Sequence, residues 1–133
     1  MADEHVVAIR SDVDIVTARQ KGRAVASQLG FSAIDLTLIA TAISELARNI
    51  VLYAHVGEVR LQIVKAGELR GVQVVAIDKG PGIPDVKLAT QGGFSTSGGL
   101  GLGLPGVRRL MGEMEIKTEV GKGTVVKARK WKR

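Results

Sequence analysis

Residues 92–106 read GGFSTSGGLGLGLPG and hold seven of the chain's seventeen glycines. Glycine serves backbone that takes positive φ or comes very close to something else, and it weakens helices and strands alike. The stretch from Lys79 to Gly103 adds proline and lacks periodicity, so it reads as a long loop, with the regular elements on either side of it. Before it, residues 6–9 (VVAI) read as a short edge strand. Residues 12–29 read as a helix, with Ile15, Ala18, Gly22, Val25, Ala26 and Leu29 at helical spacing and Gly30 as its stop. Ser32 and Asp35 resemble a capping pair, with Asp in place of the usual Glu, for a long helix reaching about Ala54. Residues 58–64 (EVRLQIV) alternate like a half-buried strand, residues 67–71 can turn, and residues 72–78 (VQVVAID) give a second strand. Beyond the loop, Pro105 suits the first position of a helix to about Met111, with Gly112 as its stop. Residues 115–120 and 124–131 then make a hairpin around Gly121, Lys122 and Gly123. That order predicts an α+β two-layer sandwich, a mixed and mostly antiparallel sheet with helices on one face, in a single domain over residues 1–133.

Composition removes several chemistries. There are no cysteines, which excludes disulfides, thiolate metal sites and a cysteine nucleophile, and only His5 and His55 offer imidazoles. No run of eighteen apolar residues is present, and the start, MADEHVVAIR, has acids where a signal peptide is basic, so the expectation is a cytoplasmic chain without a membrane partner. The net charge of +6 favours anionic partners. The tail at 127–133 (KARKWKR) is basic around one aromatic, and without a second aromatic platform it reads as a solvated edge strand with an anchor, not a nucleic-acid surface. Arg19, Lys21 and Arg23 read as the exposed face of the first helix, and Met111 and Met114 as core filler.

Three constellations carry possible chemistry. Gly99, Gly101 and Gly103 lie against the start of the helix opened by Leu104 and Pro105, where free backbone N–H groups and the dipole favour phosphate. A loop whose glycines only permit turns fits the same residues. The literal G-x-G-x-x-G at 101–106 has no strand before it and no βαβ unit, which rules out the dinucleotide reading, and Gly121-Lys122 is followed by Gly123 where a P-loop needs Ser or Thr. On the long helix, Leu36, Ile39, Ala40, Ile43, Ala47, Ile50 and Ala54 form an apolar stripe. Glu45 and Asn49 share a different face with Leu38, Ala42 and Leu52, roughly opposite that stripe. That face is either solvated or the wall of a pocket where Glu45 takes a proton or orients a hydroxyl and Asn49 gives an oxygen to Mg²⁺. Finally, Asp78 ends an apolar strand just before Gly80-Pro81-Gly82. A turn explains the glycines, but an acid at that strand end suits a hydrogen bond from an exocyclic amine such as that of adenine.

Taken in order, ELARN at 45–49, DKGPGIP at 78–84, GLGLGLP at 99–105 and GKGT at 121–124 resemble the successive N, G1, G2 and G3 boxes of the GHKL (Bergerat) ATPase fold shared by gyrase, Hsp90, histidine kinases and MutL. The resemblance covers residues 12–131, and the wording ISELARNI, DKGPGIPD and GFSTSGGLGLGLPGVRRLM is similar to the anti-sigma-factor kinase family, in particular its stressosome serine/threonine kinases. The resemblance implies ATP with Mg²⁺. Asn49 matches the metal-binding asparagine, and Glu45 the acid that activates the attacking hydroxyl. Asp78 matches the adenine-recognising aspartate, with Thr124 assisting through water. Gly80 and Gly82 match the turn beside the base, Gly99, Gly101, Gly103 and Leu104 the phosphate segment, and residues 85–98 the lid over ATP.

The family also implies a STAS-domain scaffold as substrate, then release to activate a downstream phosphatase or other signalling enzyme. The alternative is a non-catalytic module in which nucleotide only switches partner affinity. Length argues against a gyrase- or MutL-type hydrolase with its transducer domain, and neither histidine suits a histidine kinase. One departure stands out: between Pro84 and Gly103 the only basic residue is Lys87, where related kinases often place a cation near the γ-phosphate. That charge is left to Mg²⁺, backbone N–H groups or one of Lys79, Lys87 and Arg108, and Arg48 is either an ion-pair partner or a substrate contact.

Overall fold

Two polar caps start the helical layer. The Asp14 carboxylate accepts the backbone N–H groups of Arg10 at 2.8 Å and Ser11 at 3.2 Å, opening α1 (Asp12–Ser27). Ser32 Oγ accepts the N–H of Asp35 at 3.1 Å and opens α2 (Ala33–Asn49), as its spacing predicts. Between them the chain turns at Gly30, whose φ of 79° is left-handed. The computed structural model describes residues 4–80 and 103–133. The remaining elements are β1 (Glu4–Ile9), a π-helical turn (Ile50–Ala54) continuing α2, β2 (Gly57–Ala66), β3 (Leu69–Asp78), α3 (Gly103–Met111), β4 (Glu113–Glu119) and β5 (Gly123–Lys132).

The sheet has the order β1-β2-β3-β5-β4, and every pairing among the described residues is antiparallel. Strand β5 is therefore internal, between β3 and β4, and the expected solvated edge strand at the tail is instead nearly central. Trp131 faces Gly71 across the β3–β5 pair and donates its indole N–H to Glu113. Alternation sorts the faces. Val59 and Leu61, Val72, Val74 and Ala76, and Val126 and Ala128 point into the core. Ile15, Ala18 and Val25 of α1, Ile39, Ile43 and Leu46 of α2, and Val107 and Met111 of α3 cover them. Met114 packs half-buried against the same core.

Helix α2 is the centre of this layer, packed by α1, α3 and the sheet. With its π turn it is long and apolar enough, by length and composition, to cross a bilayer, 22 residues at a mean hydropathy of 1.3. Its buried Ile39, Ile43, Leu46 and Ile50 instead serve the core of the sandwich. Burial is wider than one stripe. Ala42, Glu45 and Leu46 are as buried as Ile39, Ala40, Ile43 and Ala47, so the face expected to lie opposite the core is covered at Ala42 and Glu45, half-covered at Leu38 and Asn49, and open at Leu52. Helix α3 begins at Gly103, two residues before Pro105, and ends at Gly112, with φ of 99° and its N–H bonded to the Arg108 carbonyl at 2.7 Å.

Candidate functional site

Register brings one row of residues to the end of the sheet. Ile9, Gly57, Asp78, Thr124 and Thr118 are successive cross-strand partners, and alternation points all five toward the helical layer. Gly57 has no room for a side chain, since a Cβ would stand 2.8 Å from Ile50 Cγ2 and 3.3 Å from Asp78 Cβ. Gly123 is held at φ of 126° with its Cα over the Asp78 carbonyl, where a Cβ would be 2.7 Å from Lys79 Cα. Two bare positions thus flank Asp78. Gly57 is not singled out by the sequence, and Gly123 only as part of the turn and of the GKGT box, because only the register shows what they stand beside.

Asp78 is half-buried, and its Oδ1 accepts the N–H of Gly80 at 2.9 Å, which fixes the carboxylate and the turn together. No second hydrogen bond reaches that carboxylate among the described residues, so its other oxygen is free to accept. Thr124 is buried and shares a 2.9 Å hydrogen bond with Thr118 Oγ1, itself 3.1 Å from the Gly123 carbonyl. With the Thr118 proton on that carbonyl, Thr124 donates to Thr118 and keeps lone pairs for a ligand or water.

Helix α2 reaches this row through its π turn. There the His55 N–H bonds to the Ile50 carbonyl at 2.7 Å, five residues back, and His55 takes φ of 70°. A π turn inside a helix often marks a functional site. Gly80 packs against it, because a Cβ at Gly80 would lie 2.6 Å from Ala54 Cβ and 2.9 Å from Ala54 Cα. One to three turns back along the same helix stand Asn49, half-buried, and Glu45, 2% exposed with Oε2 buried and without a partner among the described residues. A buried carboxylate without a partner is strongly unfavourable unless something else uses it. Gly103 and the buried Leu104 open α3, which packs on α2.

Register and the close approaches of Gly57 and Gly80 thus bring Asp78, Gly80 and Thr124 to the π turn that continues α2, the helix that carries Glu45 and Asn49 and on which α3, opened by Gly103 and Leu104, packs. Gly82, Gly99, Gly101, Lys87 and the expected lid at 85–98 lie outside the described residues. A cavity of about 310 Å³ lies elsewhere, lined by Arg108, Gly112, Glu113, Met114, Glu115, Lys127 and Arg129 between α3 and the β4–β5 hairpin. No cluster of three metal-ligating His, Asp or Glu side chains occurs among the described residues. Asn49 beside an unpartnered carboxylate fits a hard cation that draws most of its oxygens from phosphate and water.

The family model for the histidine kinase-, DNA gyrase B- and HSP90-like ATPases matches residues 34–132. The chain belongs to that ATPase family. It is 51% identical over 133 residues, all of both chains, to the serine/threonine-protein kinase RsbT of Bacillus subtilis. It is 31% identical over 118 residues, 86% of this chain and 82% of the relative, to the anti-sigma F factor of Caldanaerobacter subterraneus. Among solved structures, the RsbU and RsbW domains of Rv1364c from Mycobacterium tuberculosis match with a TM-score of 0.67 at 19% identity, over 100% of this chain and 33% of that one. The Mycobacterium sensor histidine kinase MprB matches with a TM-score of 0.57 at 17% identity, over 98% of this chain and 99% of that one. These last two bear out the α+β sandwich. The RsbT relative bears out the resemblance to the serine/threonine kinases of this family and the expectation of a protein kinase, and the family implies ATP as the nucleotide.

Proposed function

We propose that this chain transfers the γ-phosphoryl group of ATP to a serine or threonine hydroxyl of a partner protein. The observation that carries the reading is Glu45, a buried carboxylate with an unpartnered oxygen, one helical turn from Asn49 and on the helix whose π turn meets the Asp78 row. In this reading Glu45 Oε2 accepts the proton of the acceptor hydroxyl as its oxygen bonds to the γ-phosphorus. The bond from that phosphorus to the β,γ-bridging oxygen breaks, and ADP leaves with the electron pair. Asp78 accepts a hydrogen bond from the adenine amino group, supported by Thr124. The N–H groups at Gly103 and Leu104 and their dipole face phosphate oxygens. Bound through Asn49, Mg²⁺ would supply charge neutralisation on the phosphates.

The acceptor we assign is a STAS-domain protein of a stressosome-type scaffold, and the released kinase then engages a downstream phosphatase or similar enzyme. The RsbT relative supports this. A second reading, nucleotide-switched binding without transfer, has no use for a buried carboxylate oxygen left unpartnered among the described residues. Incubating the chain with labelled ATP and a STAS-domain protein separates the two. Transfer that Glu45→Ala abolishes while ADP still binds supports the kinase, and nucleotide-dependent binding with no label transferred supports the module. Asp78→Asn is expected to weaken ATP about tenfold or more, and unchanged affinity would refute its adenine role.

A further inference from the structure

Two charged side chains on α2 have buried atoms without partners among the described residues, Glu45 at Oε2 and Arg48 at Nε. They stand three residues apart, within reach of each other along a helix, yet they form no ion pair. Glu45 therefore does not answer Arg48, and no ion pair of Arg48 occurs among the described residues. A guanidinium stays charged in proteins, and burying part of one with no anion is costly unless a ligand brings the anion.

Position says which ligand. At 100° per residue, Arg48 lies about 60° to one side of Glu45 and Asn49 about 40° to the other. The acid, the amide and the guanidinium thus form one arc on α2. Lys87 lies outside the described residues, and the other candidates among the described residues are placed differently. Arg108 is exposed in the last turn of α3 and lines the groove beside β4 and β5. Lys79 is exposed. Arg60 is held by Glu58 and Glu4, Arg129 by Gln73, Lys130 by the Leu110 carbonyl and Lys122 by Glu119.

We propose that Arg48 is the cationic ligand of the ATP γ-phosphoryl group, reaching over Glu45 to the oxygens on which charge develops during transfer. Its planar fork suits two phosphoryl oxygens at once, which an ammonium does not match. The assignment rests on the kinase reading, but its test needs no acceptor. Calorimetric titration of the full chain compares Mg-AMP-PNP with Mg-ADP. Arg48→Gln is expected to weaken AMP-PNP about ten- to a hundredfold, with ADP affinity unchanged, because ADP lacks the group contacted. Arg48→Lys is expected to recover only part of the loss. With labelled ATP and a STAS-domain acceptor, Arg48→Gln is expected to lower kcat about a thousandfold without raising the KM for the acceptor.

Equal weakening of ADP and AMP-PNP in both variants, with lowered melting temperature, would overturn the proposal in favour of a structural arginine. A raised acceptor KM with unchanged kcat and unchanged AMP-PNP affinity would overturn it in favour of a docking residue. Loss of the AMP-PNP preference in Arg48→Gln, in a chain that phosphorylates no protein, would uphold Arg48 while ending the kinase reading.

Discussion

From Ala33 to Ile43, helix α2 is what packing alone would select, whereas from Glu45 to His55 the same helix carries features that packing alone would remove. The first part has a serine cap, an ordinary hydrogen-bond ladder and buried Ile39 and Ile43 against the sheet. The second part buries a carboxylate oxygen and a guanidinium nitrogen that have no partner among the described residues, widens into a π turn and ends on a residue with positive φ. Each of these is individually unfavourable. They sit on one continuous helix, so the difference teaches that strain gathers where the element meets the Asp78 row. A natural sequence keeps such conflicts where a function needs them.

The comparison breaks most readily at Glu45. Glu45→Gln is expected to lower phosphoryl transfer by about a hundred- to ten-thousandfold, while the melting temperature holds or rises because an unpaired buried charge is gone. A matched loss of stability would place Glu45 with the structural half of the helix. Ile43→Ala should do the reverse. It is expected to destabilise by about 2–5 kcal/mol, read by urea melts, with nucleotide affinity of the folded fraction unchanged. Gly80→Ala sharpens the contrast at the site end. Its Cβ would press on Ala54 at 2.6 Å, so nucleotide affinity is expected to fall more than the roughly 1–3 kcal/mol of stability that overpacking removes. The smallest effect belongs to the cap. Ser32→Ala is expected to lower stability by about 1 kcal/mol, with transfer at full rate at temperatures below the melt.

The regular half was legible in the residues. Ser32 with Asp35, the alternation at 58–64 and 72–78, Gly30, Gly112 and the Gly121–Gly123 turn each have a local cause, and each element formed where that cause lies. The strained half was legible only as residue types. Helical periodicity put Glu45 on the face away from the core stripe, but burial of that face depends on how the rest of the chain folds over α2, which no local pattern encodes. The π turn was also hidden, since IVLYA reads as ordinary helix and the widened ladder answers to Gly57, Gly80 and Ala54 meeting in space. Strand β5 was misplaced at an edge for a related reason. By alternation its Lys127 and Arg129 lie on the sheet face opposite the buried Val126 and Ala128, and polar alternation cannot distinguish an edge strand from an internal one with a solvated face.

The most direct test is a crystal structure of the chain with Mg-AMP-PNP. The expected result is one nucleotide with its adenine amino group on the Asp78 carboxylate, the metal on Asn49 and the γ-phosphoryl group between Glu45 and the start of α3. A nucleotide seated instead in the groove of Arg108, Glu113, Lys127 and Arg129, with the residues at 45, 49 and 78 untouched, would contradict the account.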